Sequence, residues 1–272
     1  IARPGAGLRL RGDAYLQQML SPAQLDQYRR DGYLALPGFK TAAEVDAACR
    51  RAHELVAAFE PDARTSRFST RDRSRLADAA LLASAEAVQC FLEEEALDDA
   101  GRLCVPKAES VNKIGHALHE LDPVFRAFSR GPALAALARE LGLVQPQVWQ
   151  SQLIFKQPRI GGEVGWHQDA SFFVTTPHTV TTFWFALEDA TLNNGCLWVK
   201  PGAQHDALRE QYVCDHARGK LTMKPLDRTP WPERADSVPL PVVAGTLVVF
   251  GGLLPHCSEA NRSGRSRLAY TL

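Results

Sequence analysis

No stretch of about 18 consecutive apolar residues occurs in this chain, so no segment reads as membrane-spanning. There is no excess of either charge: Lys plus Arg and Asp plus Glu each number 31. The broad basic footprint that nucleic acid or an anionic membrane surface selects is therefore missing. The six cysteines (Cys49, Cys90, Cys104, Cys196, Cys214, Cys257) form no C-x-x-C pair and no loop-closing rhythm. They read as reduced thiols in a reducing compartment, the cytoplasm or another. No internal repeat is visible either. What remains is a body of 272 residues, 45% hydrophobic and 23% charged, long enough for one large domain with a substantial core, two small domains being the alternative. A small, locally polar site acting on a small molecule is the place to look. The chain starts at Ile1 rather than Met, which leaves a targeting peptide open.

Residues 1–20 mix glycine with arginine and read as a loose leader, with 21–272 as the folded domain. Ser21-Pro22-Ala23-Gln24 is a capping box with proline at the first helical position, and that helix should end at Asp31-Gly32. Tyr33 to Leu36 reads as a short strand. A second capping box, Thr41 with Glu44, opens a run with Val45, Cys49, Ala52, Val56 and Phe59 at helical spacing. Asp62 to Arg75, which holds Arg64, Arg67, Arg71, Arg73 and Arg75, reads as a surface loop, with a lid over an anionic substrate as the sharper alternative. After a helix bracketed by Gly131 and Gly142 the texture changes to short β-rich runs (VWQSQLIFK, VTTFWFAL, CLWV, TLVVF, RLAYTL) separated by turn signals. Helices first and strands later predict an α+β fold with a mainly β core, an antiparallel sandwich or barrel with N-terminal helices packed outside.

In the stretch GGEVGWHQDASFF, His167 and Asp169 would project from one face of a strand with backbones about 7 Å apart. Eight histidines and 31 acidic residues yield roughly one H-x-[DE] by chance, so the pair needs company. His256 supplies it, just past the apolar run Leu247 to Phe250, with Arg267 inside the next strand. Two imidazoles and a carboxylate are the facial triad of non-haem Fe(II) oxygenases, with coordination positions left open. A bidentate 2-oxo acid would fill two of them, and its far carboxylate needs a planar, permanent cation, which Arg267 offers. Ser258, two residues beyond His256, would add a hydroxyl on the same face. Taken singly, each has a plainer reading: His256 plugging a strand end, Arg267 pairing with a structural acid, His167 bonding within a turn.

Other candidates are weaker. His116 and His119 would share a helix face but lack a third ligand. His205 reads as part of a turn, and His178 as a residue near a substrate entrance. Trp166 and Gln168 alternate with the ligands and should face away from them. Glu93-Glu94-Glu95 reads as solvated surface. Phe172, Phe173, Phe183 and Phe185 suit either an apolar substrate or the core.

H-x-D followed by His256 and, eleven positions on, by Arg267 resembles the phytanoyl-CoA dioxygenase (PhyH) family of Fe(II)/2-oxoglutarate oxygenases. The stretches SPAQLDQYRRDGYLALPGF, SVNKIGHALHELDPVF, IFKQPRIGGEV, HQDASF, EDATLNNGCLWVKPG and RSRLAYT carry the same resemblance. It implies a double-stranded β-helix, or jelly roll, with iron ligands His167, Asp169 and His256. It also implies 2-oxoglutarate contacts at Arg267 and Ser258 for the far carboxylate, at Lys113 and at Trp184. Where the family places a methionine beside the co-substrate, this chain looks to have Gln152, whose role is therefore not inherited. The activity implied uses Fe(II), 2-oxoglutarate and O2. Oxidative decarboxylation to succinate and CO2 is coupled to hydroxylation of a small molecule, with an acyl or apolar group suggested. The competing readings are a metal-dependent jelly-roll hydrolase or isomerase, which has no use for Arg267 and Lys113 as anchors, and a catalytically silent binding module. Oligomeric state is not legible.

Overall fold

The computed structural model describes residues 19–61, 67–68, 82–215 and 220–272, with only the backbone described at 67–68, 214–215 and 220–221. The expected leader, apart from Met19 and Leu20, and the side chains of Arg64, Arg67, Arg71, Arg73 and Arg75 lie outside the described residues. Among the described residues no helix is long and apolar enough to cross a membrane. Cys49, Cys90, Cys104, Cys196 and Cys257 are free thiols.

Both N-terminal helices start where their capping boxes stand. Helix α1 (Pro22–Asp31) is capped by Ser21 and Gln24 and ends on Gly32, whose φ of 82° is the left-handed conformation glycine adopts without penalty. Helix α2 (Ala42–Ala58) is capped by Thr41 and Glu44 and buries Val45, Ala48, Ala52 and Val56 on one face. Thr41→Ala removes one half of that box and is expected to lower the unfolding free energy by about 1 kcal/mol in chemical denaturation. The short helices α3 (Leu118–Leu121) and α4 (Pro123–Phe128) and the longer α5 (Pro132–Glu140) follow. His116 closes a strand while His119 lies in α3, so the two do not share a helix face as expected.

The strands form a jelly roll. Its large sheet runs β1 (Tyr33–Leu36), β12 (Leu247–Gly251), β7 (Thr181–Ala186), β14 (Arg267–Thr271), β5 (Ser151–Lys156), β4 (Val111–His116), β3 (Val88–Glu93), β2 (Arg67–Phe68). The small sheet runs β11 (Val238–Leu240), β8 (Leu197–Val199), β13 (His256–Ser258), β6 (Val164–His167). A separate hairpin, β9 (Glu210–Asp215) with β10 (Lys220–Pro225), branches off between β8 and β11. From β5 onward the chain passes from one sheet to the other: β5, β7, β12 and β14 join the large sheet, and β6, β8, β11 and β13 the small one. This alternation makes β6 and β13 neighbours although nearly ninety residues separate them.

The apolar runs are continuous because the large sheet is buried on both faces. Phe183, Phe185, Val249, Leu153, Leu268 and Tyr270 face outward into the core shared with the helices, while Trp184, Ala186, Val248, Phe250 and Ala269 face inward against Leu197, Val199 and Leu240 of the small sheet. Phe185 lies 5.1 Å from the Phe128 ring and 6.5 Å from Tyr270, so Phe183 and Phe185 are core rather than substrate contacts. With register set by this period of two, the inward positions form cross-strand rows. One row is Val248, Trp184, Thr271, Gln152 and Gly115; the next is Ala186, Ala269, Ile154, Lys113 and Phe91; beyond it Arg267 stands opposite Lys156.

Candidate metal centre

His167 is the last residue of β6, and Asp169 opens a 3-10 turn, Asp169–Ser171, so the pair straddles a strand end instead of sharing one strand. They converge nonetheless. His167 Nε2 lies 3.6 Å from Asp169 Oδ1, and His256 Nε2 lies 3.8 Å from the same oxygen. His256 is the cross-strand partner of His167, with ring centroids 4.1 Å apart. Among the described residues, one donor atom from each of these three side chains lies within 4.8 Å of the others.

The remaining atoms of the ligands are held by the protein. His167 Nδ1 lies 2.9 Å from the carbonyl of Gly165, and His256 Nδ1 3.1 Å from that of Leu254. A carbonyl only accepts, so each Nδ1 carries the proton and each Nε2 presents its lone pair inward. Burial, then the neighbouring His256, pushes the His167 imidazole below its usual pKa, which favours the neutral, ligating form. Asp169 turns Oδ2 to the Thr182 hydroxyl, which donates to it, and leaves Oδ1 toward the histidines. Two neutral imidazoles and one carboxylate oxygen with orienting partners are a donor set suited to a divalent transition metal. Thr182→Val is expected to weaken metal binding about tenfold, read by titration of the metal-free protein.

Across the interior, the large sheet supplies cationic and polar groups. Arg267 is 2% exposed, and its Nε and Nη1 have no hydrogen-bond partner. Its guanidinium carbon lies 5.6 Å from the Trp184 ring centroid. Burial pulls Arg267 down to about 10, so it stays charged at neutral pH. A planar cation with unused donors in a dry interior fits a carboxylate, whose two oxygens match its fork. Lys113 is buried, and burial draws its ammonium down to about 7 against the opposing pull of Asp169, which places it within electrostatic reach of the triad. Ser258 is buried on the same strand face as His256. Gln152 stands between Thr271 and Gly115 with its Oε1 buried and unpartnered.

One further residue turns out differently from expectation. Glu93 is buried, not solvated: it takes a hydrogen bond from Asn112 Nδ2 at 2.8 Å and packs against Gly162, where an added Cβ would come within 3.0 Å of its Oε1. A Cβ on Gly161 would fall 2.8 Å from the backbone of Lys156 and Gln157, so the chain doubles back tightly before β6. Lys156 Nζ donates to Gly162 O at 2.6 Å, closing that bend. Phe172 and His178 are exposed, and the Phe172 ring lies 6.4 Å from His167, at the rim of the triad. Thr182 escaped the sequence reading, although its position two residues before inward-facing Trp184 carried the signal.

Residues 28–269 match the family Phytanoyl-CoA dioxygenase (PhyH). The chain belongs to the PhyH family. Phytanoyl-CoA dioxygenase domain-containing protein 1 of Bos taurus is 43% identical over 258 residues, covering 93% of this chain and 89% of the relative. A phytanoyl-CoA dioxygenase of Arabidopsis thaliana is 42% identical over 253 residues, covering 93% and 88%. This membership supports an oxygenase-type enzyme. Among solved structures, the non-heme alpha ketoglutarate dependent carbocyclase SnoK from nogalamycin biosynthesis shares the fold with a TM-score of 0.62 at 21% identity, covering 93% of this chain and 83% of that one. EctD from S. alaskensis, crystallised with 2-oxoglutarate and 5-hydroxyectoine, has a TM-score of 0.59 at 21% identity, covering 93% and 75%.

Proposed function

We propose that this PhyH-family chain is an Fe(II)- and 2-oxoglutarate-dependent dioxygenase that hydroxylates a small molecule, with residues 21–272 acting as one domain. The observation that carries it is the convergence of His167 Nε2, His256 Nε2 and Asp169 Oδ1 in a barrel whose opposite wall holds the buried Arg267 guanidinium, with Nε and Nη1 lacking a hydrogen-bond partner. The fold relatives EvdO2, crystallised with 2-oxoglutarate, and EctD, crystallised with iron, support the same reading.

When bound, Fe(II) and 2-oxoglutarate supply an O2-dependent oxidative decarboxylation that yields succinate and CO2 and oxidises a substrate C–H bond. The protein's part is placement. His167, Asp169 and His256 would hold the metal through three protein donors. Arg267 would receive the far carboxylate of the 2-oxo acid through its planar fork, with the Ser258 hydroxyl as a further donor and Trp184 facing the guanidinium. Lys113, on the same wall as Arg267 and within electrostatic reach of Asp169, adds positive charge when protonated, and Gln152 offers an amide beside it. Because Asp169 is a carboxylate, no ligand position is vacated for a halide, which favours hydroxylation. Phe172 at the rim suits an apolar or acyl portion of the substrate.

Purified protein supplied with Fe(II), 2-oxoglutarate and O2 should form succinate, with faster turnover when the true substrate is found in a metabolite screen. Absence of succinate formation at full iron loading, combined with hydrolysis or isomerisation supported by another divalent ion, would favour the metal-dependent hydrolase or isomerase instead.

A further inference from the structure

Gln168 separates the two ligands His167 and Asp169 in sequence and has no exposed surface. Its extended backbone, φ −119° and ψ 129°, sends the side chain to the side opposite its neighbours. There Nε2 donates to Leu253 O at 2.7 Å and to Ala207 O at 3.3 Å, while Oε1 accepts from Arg209 N–H at 2.9 Å. Two bonds end on carbonyls and one begins on an N–H, so only one orientation of the amide satisfies all three.

The partners matter more than their number. Leu253 belongs to the turn between β12 and β13 that delivers His256, and the next carbonyl, Leu254 O, receives the His256 Nδ1 proton. The same turn takes a bond from the other ligand segment, Ala170 N–H to Gly252 O at 2.9 Å. The third strut reaches Ala207 and Arg209 at the base of the β9–β10 hairpin. The segment bearing two ligands is thus tied through one amide to the turn bearing the third. Leucine or methionine would fill the same space with neither donor nor acceptor, and glutamate would keep the acceptor and lose both donors.

We propose that Gln168 is a positioning residue that sets the separation between the His167–Asp169 segment and the His256 turn, so that the three donor atoms are preorganised before metal binds. The inference rests on the metal-centre reading above.

The test is a Co(II) titration of metal-free wild type, Gln168→Leu, Gln168→Glu, Gln157→Leu and Asp169→Ala, reading dissociation constant and the intensity of the cobalt d–d absorption. Thermal unfolding of each metal-free protein is recorded alongside. Gln157 is the matched control: it is also buried, and its amide donates to Val111 O at 2.7 Å in β4, away from the ligands. Gln168→Leu is expected to weaken Co(II) binding about 10–100-fold and to alter the d–d band, while Gln157→Leu lowers thermal stability and stays within about twofold of wild-type affinity. Should Gln168→Leu fail to fold, the near-isosteric Gln168→Glu gives the same comparison. Wild-type binding that is lost in Asp169→Ala but unchanged in the Gln168 variants overturns the positioning role and leaves the metal centre standing. Equal weakening in the Gln157 and Gln168 variants also overturns it, since general loosening then suffices. Wild-type protein that binds no Co(II) overturns both.

Discussion

Replacing Asp169 by alanine is expected to reduce 2-oxoglutarate-dependent succinate formation by at least about a hundredfold, because loss of a ligand should exceed the 10–100-fold effects of orienting partners. Both histidine Nε2 atoms face Asp169 Oδ1, at 3.6 and 3.8 Å, so this carboxylate oxygen is the corner that the two imidazoles share. It is also the only anionic group of the three. Without it, two neutral nitrogens would hold a divalent cation with no charge compensation. The substitution frees the Thr182 hydroxyl and creates little space, so the fold should survive, as circular dichroism would verify. His256→Ala should match it in activity. It should cost more stability, because His256 is buried against Phe250 with ring centroids 4.5 Å apart. Succinate formation within about threefold of wild type in either variant would remove the triad from the mechanism.

Arg267→Met should separate stability from binding with opposite signs. Nε and Nη1 of Arg267 are buried and unpartnered, and such donors cost about 1–3 kcal/mol of desolvation. An apolar side chain of similar reach removes that cost, so in the absence of co-substrate the variant should unfold at equal or higher free energy than wild type. Affinity for 2-oxoglutarate should fall by about 2–5 kcal/mol, roughly 30- to several-thousand-fold, because a buried carboxylate loses its charged partner. Arg267→Lys should land between the two: it restores the charge without the fork. Equilibrium denaturation and the 2-oxoglutarate KM measure the two quantities independently. A variant that loses stability and keeps its KM would make Arg267 a structural ion-pair residue.

The features legible in the sequence were those with a local cause. Ser21 and Thr41 announced α1 and α2 because a capping box is completed within four residues. The apolar runs around Phe183 and Val249 announced strands because both faces of the large sheet are buried. The triad was legible only in part. His167 and Asp169 came with spacing, but their union with His256 depends on β6 and β13 pairing across the small sheet, and no local pattern encodes that. Arg267 could be placed as a cation in a strand, yet the two unpartnered donors, Nε and Nη1, emerge only in three dimensions. Glu93 is not legible as buried because an acidic run looks solvated until the partner of one member, Asn112, is known. Thr182 and Gln168 act on the ligands through hydrogen bonds between distant segments, which composition and periodicity do not report.

Metal and 2-oxo acid are expected to occupy one site together. Anaerobic titration of the Fe(II)-loaded protein with 2-oxoglutarate, followed by visible absorption, tests this most directly. A charge-transfer band that saturates at one 2-oxoglutarate per iron, vanishes in Asp169→Ala and needs far more co-substrate in Arg267→Met is the predicted result. A protein that binds 2-oxoglutarate equally well with and without Fe(II), and shows no band at saturation, would contradict it.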